Sequence, residues 1–176
     1  LPGIDAAVDR VGRALDRGEP ILVHGDYDVD GVSGCAFLTR MLRAMGAVVH
    51  PFVPSRDEGY GLGEAGIRAA TEAGVGLVIT VDCGTASAAE IAELSRRGID
   101  TVVLDHHEPG DALPAAVAVV NPMLDKDSRA DRIPIARLDP FLLQQVTPDP
   151  HRRHPRLEPG VNALTRRLHP ARRHDA

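Results

Sequence analysis

Several residue types are scarce in this 176-residue chain, and each scarcity excludes a class of protein. The two cysteines, Cys35 and Cys83, lack CxxC spacing, so neither a disulfide framework nor a cysteine zinc site is expected. No Trp, two Tyr and three Phe leave the core to aliphatic side chains. No apolar run approaches the roughly 18 residues of a membrane span, and no signal peptide is visible. We therefore expect a cytoplasmic protein without membrane contact and, since the sequence begins at Leu1, a fragment or a processed chain.

Charge is divided unevenly along the sequence. Residues 1–125 carry 9 Arg and 19 acidic residues, whereas residues 126–176 carry 11 basic and 6 acidic ones. An acidic body argues against nucleic-acid binding through a broad basic face, and clustered carboxylates favour a cation site. The second segment holds seven of the 14 prolines and little periodicity. We expect a domain over 1–125 and an irregular basic tail over 126–176, whose arginines either contact phosphate or have no such function.

Short apolar runs alternate with amphipathic stretches, a pattern typical of β-α-β units in a parallel sheet. Predicted helices cover residues 4–17, 31–45, 63–73 and 86–97, and predicted strands cover 21–24, 47–53, 77–81, 101–104 and 117–120. Four of the strands are continuous runs of Val, Ile and Leu, so both sheet faces should be covered. The sequence therefore predicts an α/β fold, a doubly wound parallel sheet with helices on both faces and ligands at the carboxyl ends of its strands.

Three polar clusters directly follow three of the predicted strands. They are His24-Gly25-Asp26-Tyr27-Asp28-Val29-Asp30-Gly31, Asp82-Cys83-Gly84 and Asp105-His106-His107-Glu108. Carboxylates that share one partly desolvated crevice repel one another unless cations neutralise them. Oxygen ligands with a minority of imidazoles suit Mn²⁺ or Mg²⁺. Two such ions bridged by one carboxylate promote phosphoester hydrolysis, which is the reaction we expect.

Each cluster taken alone also has a simpler structural interpretation. Asp82 could cap a helix or form a turn, and the histidine pair could lie in a solvated loop. The glycines could serve only as turn residues. The joint occurrence of the clusters at three strand ends favours a functional site over these alternatives.

The three clusters resemble the first three motifs of the DHH phosphoesterase superfamily. Within it, the DYDxDG form of the first cluster, Gly59-Tyr60-Gly61-Leu62 and Asn121-Pro122 resemble RecJ-type exonucleases. Relatives that cleave oligoribonucleotides, cyclic dinucleotides or pyrophosphate usually have proline where Tyr27 stands. The resemblance covers roughly residues 1–124. It implies an enzyme that uses two Mn²⁺ or Mg²⁺ ions and degrades single-stranded DNA from 5′ to 3′ in DNA repair and recombination.

The resemblance also implies roles for individual residues. One ion would be held by His24, Asp28 and Asp82, and the other by Asp30, Asp82 and His106, with Asp82 bridging and Asp26 as a further ligand or a supporting group. His107 would touch the scissile phosphate or stabilise the leaving group. Asp105 would orient the histidine pair. The expected catalytic residues are thus His107, Asp82 and Asp105.

Other functions remain open from the sequence. After Asn121-Pro122 the sequence no longer resembles the family. The motif with a fourth aspartate ligand and the downstream DHHA1-type domain are not found. We do not assign the ligand role to Asp139. A non-catalytic DHH scaffold or another DHH phosphoesterase is therefore an alternative. A haloacid dehalogenase-like phosphatase would use Asp28 as nucleophile, but that class needs a lysine, and Lys126 is the only one. A dinucleotide-binding module would need a glycine-rich cradle where aspartates stand.

Overall fold

A computed structural model describes residues 1–125 of the chain. In chain order its main elements are α1 (Ile4–Arg17), β1 (Ile21–Gly25), α2 (Val29–Ala44), β2 (Val49–Phe52), α3 (Glu64–Glu72), β3 (Leu77–Val81), α4 (Ala88–Arg96), β4 (Asp100–Leu104) and β5 (Ala118–Val120). Short 3₁₀ helices cover Arg56–Glu58 and Pro122–Leu124. No helix in this part of the chain combines the length and the apolarity needed to cross a membrane. The predicted tail and Asp139 lie outside the described residues.

The strands form one parallel sheet in the order β2-β1-β3-β4-β5. From β1 the chain moves outward to β2, returns past β1 to β3 and then continues in the opposite direction. The point at which the direction reverses therefore lies between β1 and β3. In open parallel sheets the carboxyl ends of the strands leave a crevice at such a reversal, where ligands bind.

Helices cover both faces of this sheet, which confirms the predicted doubly wound architecture. Along β1 the side chains alternate: Ile21 and Val23 pack in one core with residues of α1 and α2, whereas Leu22 packs in the other with residues of α3 and α4. All five residues of β1 are buried. A strand covered on both sides has no face exposed to water, which is why Ile21, Leu22 and Val23 form a continuous apolar run.

Two helices begin two residues away from their predicted starts, and side-chain capping explains one of these differences. Helix α2 begins at Val29 rather than at residue 31, because the Asp28 side chain accepts a hydrogen bond from the Gly31 amide and caps the helix. Helix α4 begins at Ala88, two residues later than predicted. The predicted strand over 47–53 shortens to Val49–Phe52.

The amino ends of the strands, opposite the polar clusters, are joined through Arg10 of α1. Its side chain donates to Glu19 at 2.7 and 3.0 Å, to Asp100 at 2.6 Å and to the Gly76 carbonyl at 3.2 Å. Burial alone would lower the pKa of Arg10, but the hydrogen bonds with Glu19 and Asp100 outweigh it and raise that pKa. A buried guanidinium with this many acceptors is a structural group that fixes α1 to the sheet.

Gly76→Ala is expected to lower the free energy of unfolding by about 1–3 kcal/mol through overpacking. A Cβ at residue 76 would lie 1.9 Å from Glu19 Oε1, so Glu19 would have to leave its pairing with Arg10. Gly12→Ala is the matched control, because its Cβ would meet nothing within 4 Å, and it should stabilise the helix by about 0.5–1 kcal/mol. Urea denaturation measures the unfolding free energy of both variants. Equal changes in the two variants would contradict the prediction.

Candidate metal centre

The three polar clusters lie side by side at the carboxyl edge of the sheet. Strand β3 pairs with β1 on one side and with β4 on the other, so the loops that follow these strands are neighbours. The Asp82 amide donates to the Leu104 carbonyl at 2.9 Å, and the Asp105 amide donates to the Val120 carbonyl at 3.1 Å. Each aspartate is therefore fixed by the sheet's own hydrogen bonding at the point where its strand ends.

The first cluster divides into a buried and an exposed pair of ligand candidates. His24 and Asp26 are 0% exposed, whereas Asp28 and Asp30 are exposed at the start of α2. The Gly31 amide donates to Asp28 Oδ1 at 2.9 Å, and this hydrogen bond is the largest cause that lowers the pKa of Asp28. A Cβ on Gly31 would lie 2.5 Å from backbone atoms of Asp26, so only glycine lets the loop close so tightly over Asp26.

Three buried polar atoms of the first cluster have no hydrogen-bond partner among the described residues. They are His24 Nε2 and both carboxylate oxygens of Asp26. Burial lowers the pKa of His24 to about 4, so the imidazole is neutral at pH 7 and keeps a free lone pair on one nitrogen. Buried carboxylate oxygens without donors are costly and require an explanation. A cation supplies one, and oxygen with imidazole is a ligand set that suits Mn²⁺ or Mg²⁺.

Asp82 has the most unusual backbone in the site. Its φ of 63° is the one positive φ outside glycine among residues 1–125, in a left-handed region that Asp and Asn enter more readily than other residues. The side chain is 6% exposed. Burial, followed by the negative charge of Asp28, raises the pKa of Asp82 to about 7. The metal-free site therefore holds two carboxyl groups that cannot both ionise freely.

The two histidines face different carboxylates. His106 Nε2 lies 2.8 Å from Asp82 Oδ1, an ion-pair distance without hydrogen-bond alignment, and His107 Nδ1 lies 2.7 Å from Asp105 Oδ1. Burial and the neighbouring His107 lower the pKa of His106. Burial alone would lower the pKa of His107 as well, but its hydrogen bond to Asp105 and the nearby carboxylates raise it.

Asp105 organises the loop that carries both histidines. The side chain is 2% exposed and accepts hydrogen bonds from the amides of Thr85, His106 and His107 at 2.7–3.1 Å, in addition to its contact with His107 Nδ1. Burial alone would raise the pKa of Asp105, but these hydrogen bonds outweigh burial and lower it. Asp105 is therefore anionic and holds the His107 ring with Nδ1 inward.

Three residues of the site were not predicted as site residues. The Tyr60 hydroxyl lies 2.8 Å from His107 Nε2, and the two rings meet edge to face. The buried Asn121 side chain donates to the Thr85 hydroxyl and to the His107 carbonyl, both at 2.9 Å. Tyr60 and Asn121 lie in two short segments that resemble RecJ-type sequences, so the sequence contained a signal for both residues. Thr85 had none, because one threonine after a glycine is unremarkable in sequence.

Some of the predicted site residues meet closely in the structure, and others share only the edge of the sheet. Asp82, His106 and His107 each offer a ligand atom, and these atoms lie within 4.8 Å of one another. His107, expected at the phosphate, is thus also placed where it could bind an ion. The remaining candidates, which lie at the same edge but outside this group, are His24, Asp26, Asp28 and Asp30. The individual roles stay predictions.

Comparison with known proteins places this arrangement in a family. The model of the DHH family, N-terminal domain, matches residues 20–136, which include all three polar clusters. The chain belongs to the DHH family. Membership in this family confirms the resemblance seen in the sequence motifs. It also argues against the haloacid dehalogenase interpretation, in which Asp28 would be a nucleophile.

The DHH chain is similar to single-stranded-DNA-specific exonucleases RecJ from several bacteria. It is 45% identical over 128 residues to RecJ of Thermus thermophilus, covering 72% of this chain and 19% of that protein. It is 39% identical over 123 residues to RecJ of Bacillus subtilis, covering 69% of this chain and 16% of that protein. A crystal structure of exonuclease RecJ bound to manganese matches with a TM-score of 0.66 and 44% identity, over 73% of this chain and 34% of that one. The chain thus spans about a fifth of the length of the curated relatives.

Proposed function

We propose that this DHH chain is the metal-binding part of a 5′ to 3′ exonuclease that acts on single-stranded DNA in DNA repair and recombination. The observation that carries the proposal is the set of buried, unpartnered ligand atoms of His24, Asp26 and Asp82 at the ends of β1 and β3, beside the histidine pair that follows β4. The names of the relatives at 39–45% identity support the substrate, and a manganese-bound structure among them supports the cation.

The ligand assignment follows the resemblance of the three motifs. We assign His24, Asp28 and Asp82 to one Mn²⁺ or Mg²⁺ ion and Asp30, Asp82 and His106 to the other, with Asp26 in support. Asp82 is assigned as the bridge, in agreement with its burial and its nearness to both Asp28 and His106. When bound, the two ions would activate a water molecule for attack and neutralise negative charge that develops on the phosphate.

His107 and Asp105 are the proposed catalytic pair of the chain itself. Asp105 accepts the Nδ1 proton of His107, which leaves Nε2 directed toward Tyr60 and the open side of the site. The raised pKa of His107 favours its protonated form, which can donate a proton to the leaving oxygen. Asp105 thereby orients His107 and stabilises its positive charge.

The uneven charge and the concentration of prolines after residue 125 support a division of the chain into two regions. We assign residues 1–125 to the DHH domain and 126–176 to a separate region, although the family model matches as far as residue 136.

Both described cysteines, Cys35 and Cys83, are free and buried, which fits a reducing cytoplasm as the proposed location.

Titration of the purified 176-residue chain with Mn²⁺ in a calorimeter tests the proposal, followed by incubation with 5′-labelled single-stranded DNA. We expect binding of two ions, and His106→Ala should weaken one site more than the other. We expect little processive digestion by these 176 residues, which span about a fifth of the length of the curated relatives, because processive binding of a single strand needs an extended basic groove and residues 1–125 are acidic.

Each outcome of this experiment separates the alternatives. Absence of Mn²⁺ binding at millimolar concentration would overturn the proposal. Mn²⁺ binding without cleavage of DNA or of a small phosphodiester such as thymidine 5′-p-nitrophenyl phosphate would favour the non-catalytic DHH scaffold. Rapid processive digestion would show that the chain needs no further domain.

A further inference from the structure

His24 is held between apolar groups from two other elements. Its ring contacts the Phe52 ring of β2 in a tilted arrangement with centroids 5.3 Å apart. Gly66 of α3 lies against the Cδ2–Nε2 edge of the ring, where a Cβ would be 2.6 Å from His24 Cδ2 and 2.7 Å from Nε2. These contacts fix the plane of the imidazole. They do not by themselves distinguish its nitrogens from its carbons, because the two have similar size.

One polar contact makes that distinction. His24 Nδ1 lies 3.7 Å from Cys83 Sγ, and both side chains are fully buried, at 0% and 1% exposure. A half-turn of the ring about its Cβ–Cγ bond would place Cδ2 where Nδ1 stands and would remove this contact. Nε2 has no hydrogen-bond partner among the described residues, so the side-chain contact that favours the observed ring orientation is the one between Nδ1 and the Cys83 sulfur.

The same contact bears on the position of the imidazole proton. A neutral imidazole carries its proton on one nitrogen and a lone pair on the other. If the sulfur accepts from Nδ1–H, the lone pair lies on Nε2, the atom that can bind a cation. Metal-binding histidines usually obtain this orientation from a carboxylate or carbonyl partner. A neutral thiol can fix the orientation of the imidazole without adding negative charge to a site that already contains several carboxylates.

We propose that Cys83 is a positioning residue for His24, whose sulfur accepts the Nδ1 proton and keeps the Nε2 lone pair directed at a divalent cation. This inference rests on the proposed function, because it assigns a partner to one of the proposed metal ligands. Cys83 itself binds neither metal nor substrate. Its effect reaches the cation only through the orientation and tautomer of His24.

The affinity of the 176-residue chain for Mn²⁺ gives the first test. Cys83→Ala should weaken the affinity about 10- to 100-fold, as the loss of such partners does elsewhere. Cys83→Ser should restore most of it, since a hydroxyl also accepts a hydrogen bond. Cys35→Ala is the matched control: Cys35 is 2% exposed and contacts the Val23 carbonyl at 3.4 Å, so its loss removes a buried thiol without touching the His24 ring.

The nitrogen-15 NMR spectrum of histidine-labelled, metal-free chain gives a second readout that a merely structural role would not change. In the unmodified chain we expect a His24 ring protonated at Nδ1, and in Cys83→Ala a shift of the proton toward Nε2, with folding verified by thermal melts. Unchanged affinity and tautomer in Cys83→Ala would overturn the inference. So would a loss of affinity that Cys83→Ser does not restore. If the unmodified chain bound no Mn²⁺, the proposed function would fail, while the tautomer would still report on Cys83.

Discussion

Asp82→Asn is expected to abolish binding of two ions while making the metal-free chain more stable. Asparagine keeps the size of the side chain and tolerates the φ of 63° at this position, so the fold should persist. The substitution removes a buried negative charge beside Asp28, which relieves repulsion in the metal-free site. A bridging carboxylate contributes charge to both ions, so binding of both should suffer.

The gain in stability from Asp82→Asn should depend on pH. The unfolded carboxyl loses its proton near pH 4, whereas the pKa of folded Asp82 is raised to about 7. The folded state therefore binds more protons between these values, and the unfolding free energy of the metal-free chain falls as pH rises from about 4 to 7. Above pH 7 the full penalty, on the order of a few kcal/mol, persists. The asparagine variant lacks this contribution.

Urea denaturation in EDTA at pH 5 and pH 8, together with thermal melts with and without Mn²⁺, measures both effects. The advantage of Asp82→Asn over the unmodified chain should be larger at pH 8 than at pH 5. Asp82→Ala serves as a control for the backbone, because alanine lacks the tolerance for positive φ and should be less stable than the asparagine variant. An equal Mn²⁺-induced shift in melting temperature for Asp82→Asn and the unmodified chain would disprove the bridging role.

Asp105→Ala is expected to destabilise the chain, whereas Asp82→Asn is expected to stabilise it. The two aspartates follow neighbouring strands. The Asp105 carboxylate accepts hydrogen bonds from three backbone amides and from His107, and the side chain is 2% exposed. Removal would leave these donors without their acceptor, at a cost of about 3 kcal/mol or more in unfolding free energy. The loop that carries His106 and His107 should also lose its fixed conformation.

Urea denaturation at pH 7 measures the loss, and Asp111→Ala provides a control from the same loop. Asp111 is exposed, so its replacement should change stability by less than about 0.5 kcal/mol. If Asp105→Ala cost no more than the Asp111 control, Asp105 would not organise the loop. The low pKa of Asp105 adds a check, because its stabilisation should decline as pH falls below about 4 and its carboxylate becomes protonated.

The layered architecture and the grouping of the polar clusters were accessible from the sequence. Continuous apolar runs such as 77–81 predict strands buried on both faces, because burial on both sides removes the alternation of polar residues. The cap at Asp28 could also have been read, since an aspartate three residues before Gly31 fits the local rule for helix starts. The interpretation of Asp28 only as a ligand is why the predicted α2 began two residues late.

The sequence alone thus determined the α/β class, the doubly wound sheet and the three polar clusters at strand ends, because each depends on local periodicity and on the fixed direction of parallel strands. Only the tertiary structure decided the strand order that makes β1, β3 and β4 neighbours. It alone showed the contacts of Tyr60 with His107 and of Cys83 with His24, which join residues 47 and 59 positions apart. Such contacts depend on how segments distant in the chain meet at the carboxyl edge of the sheet, and no pattern within either segment specifies them.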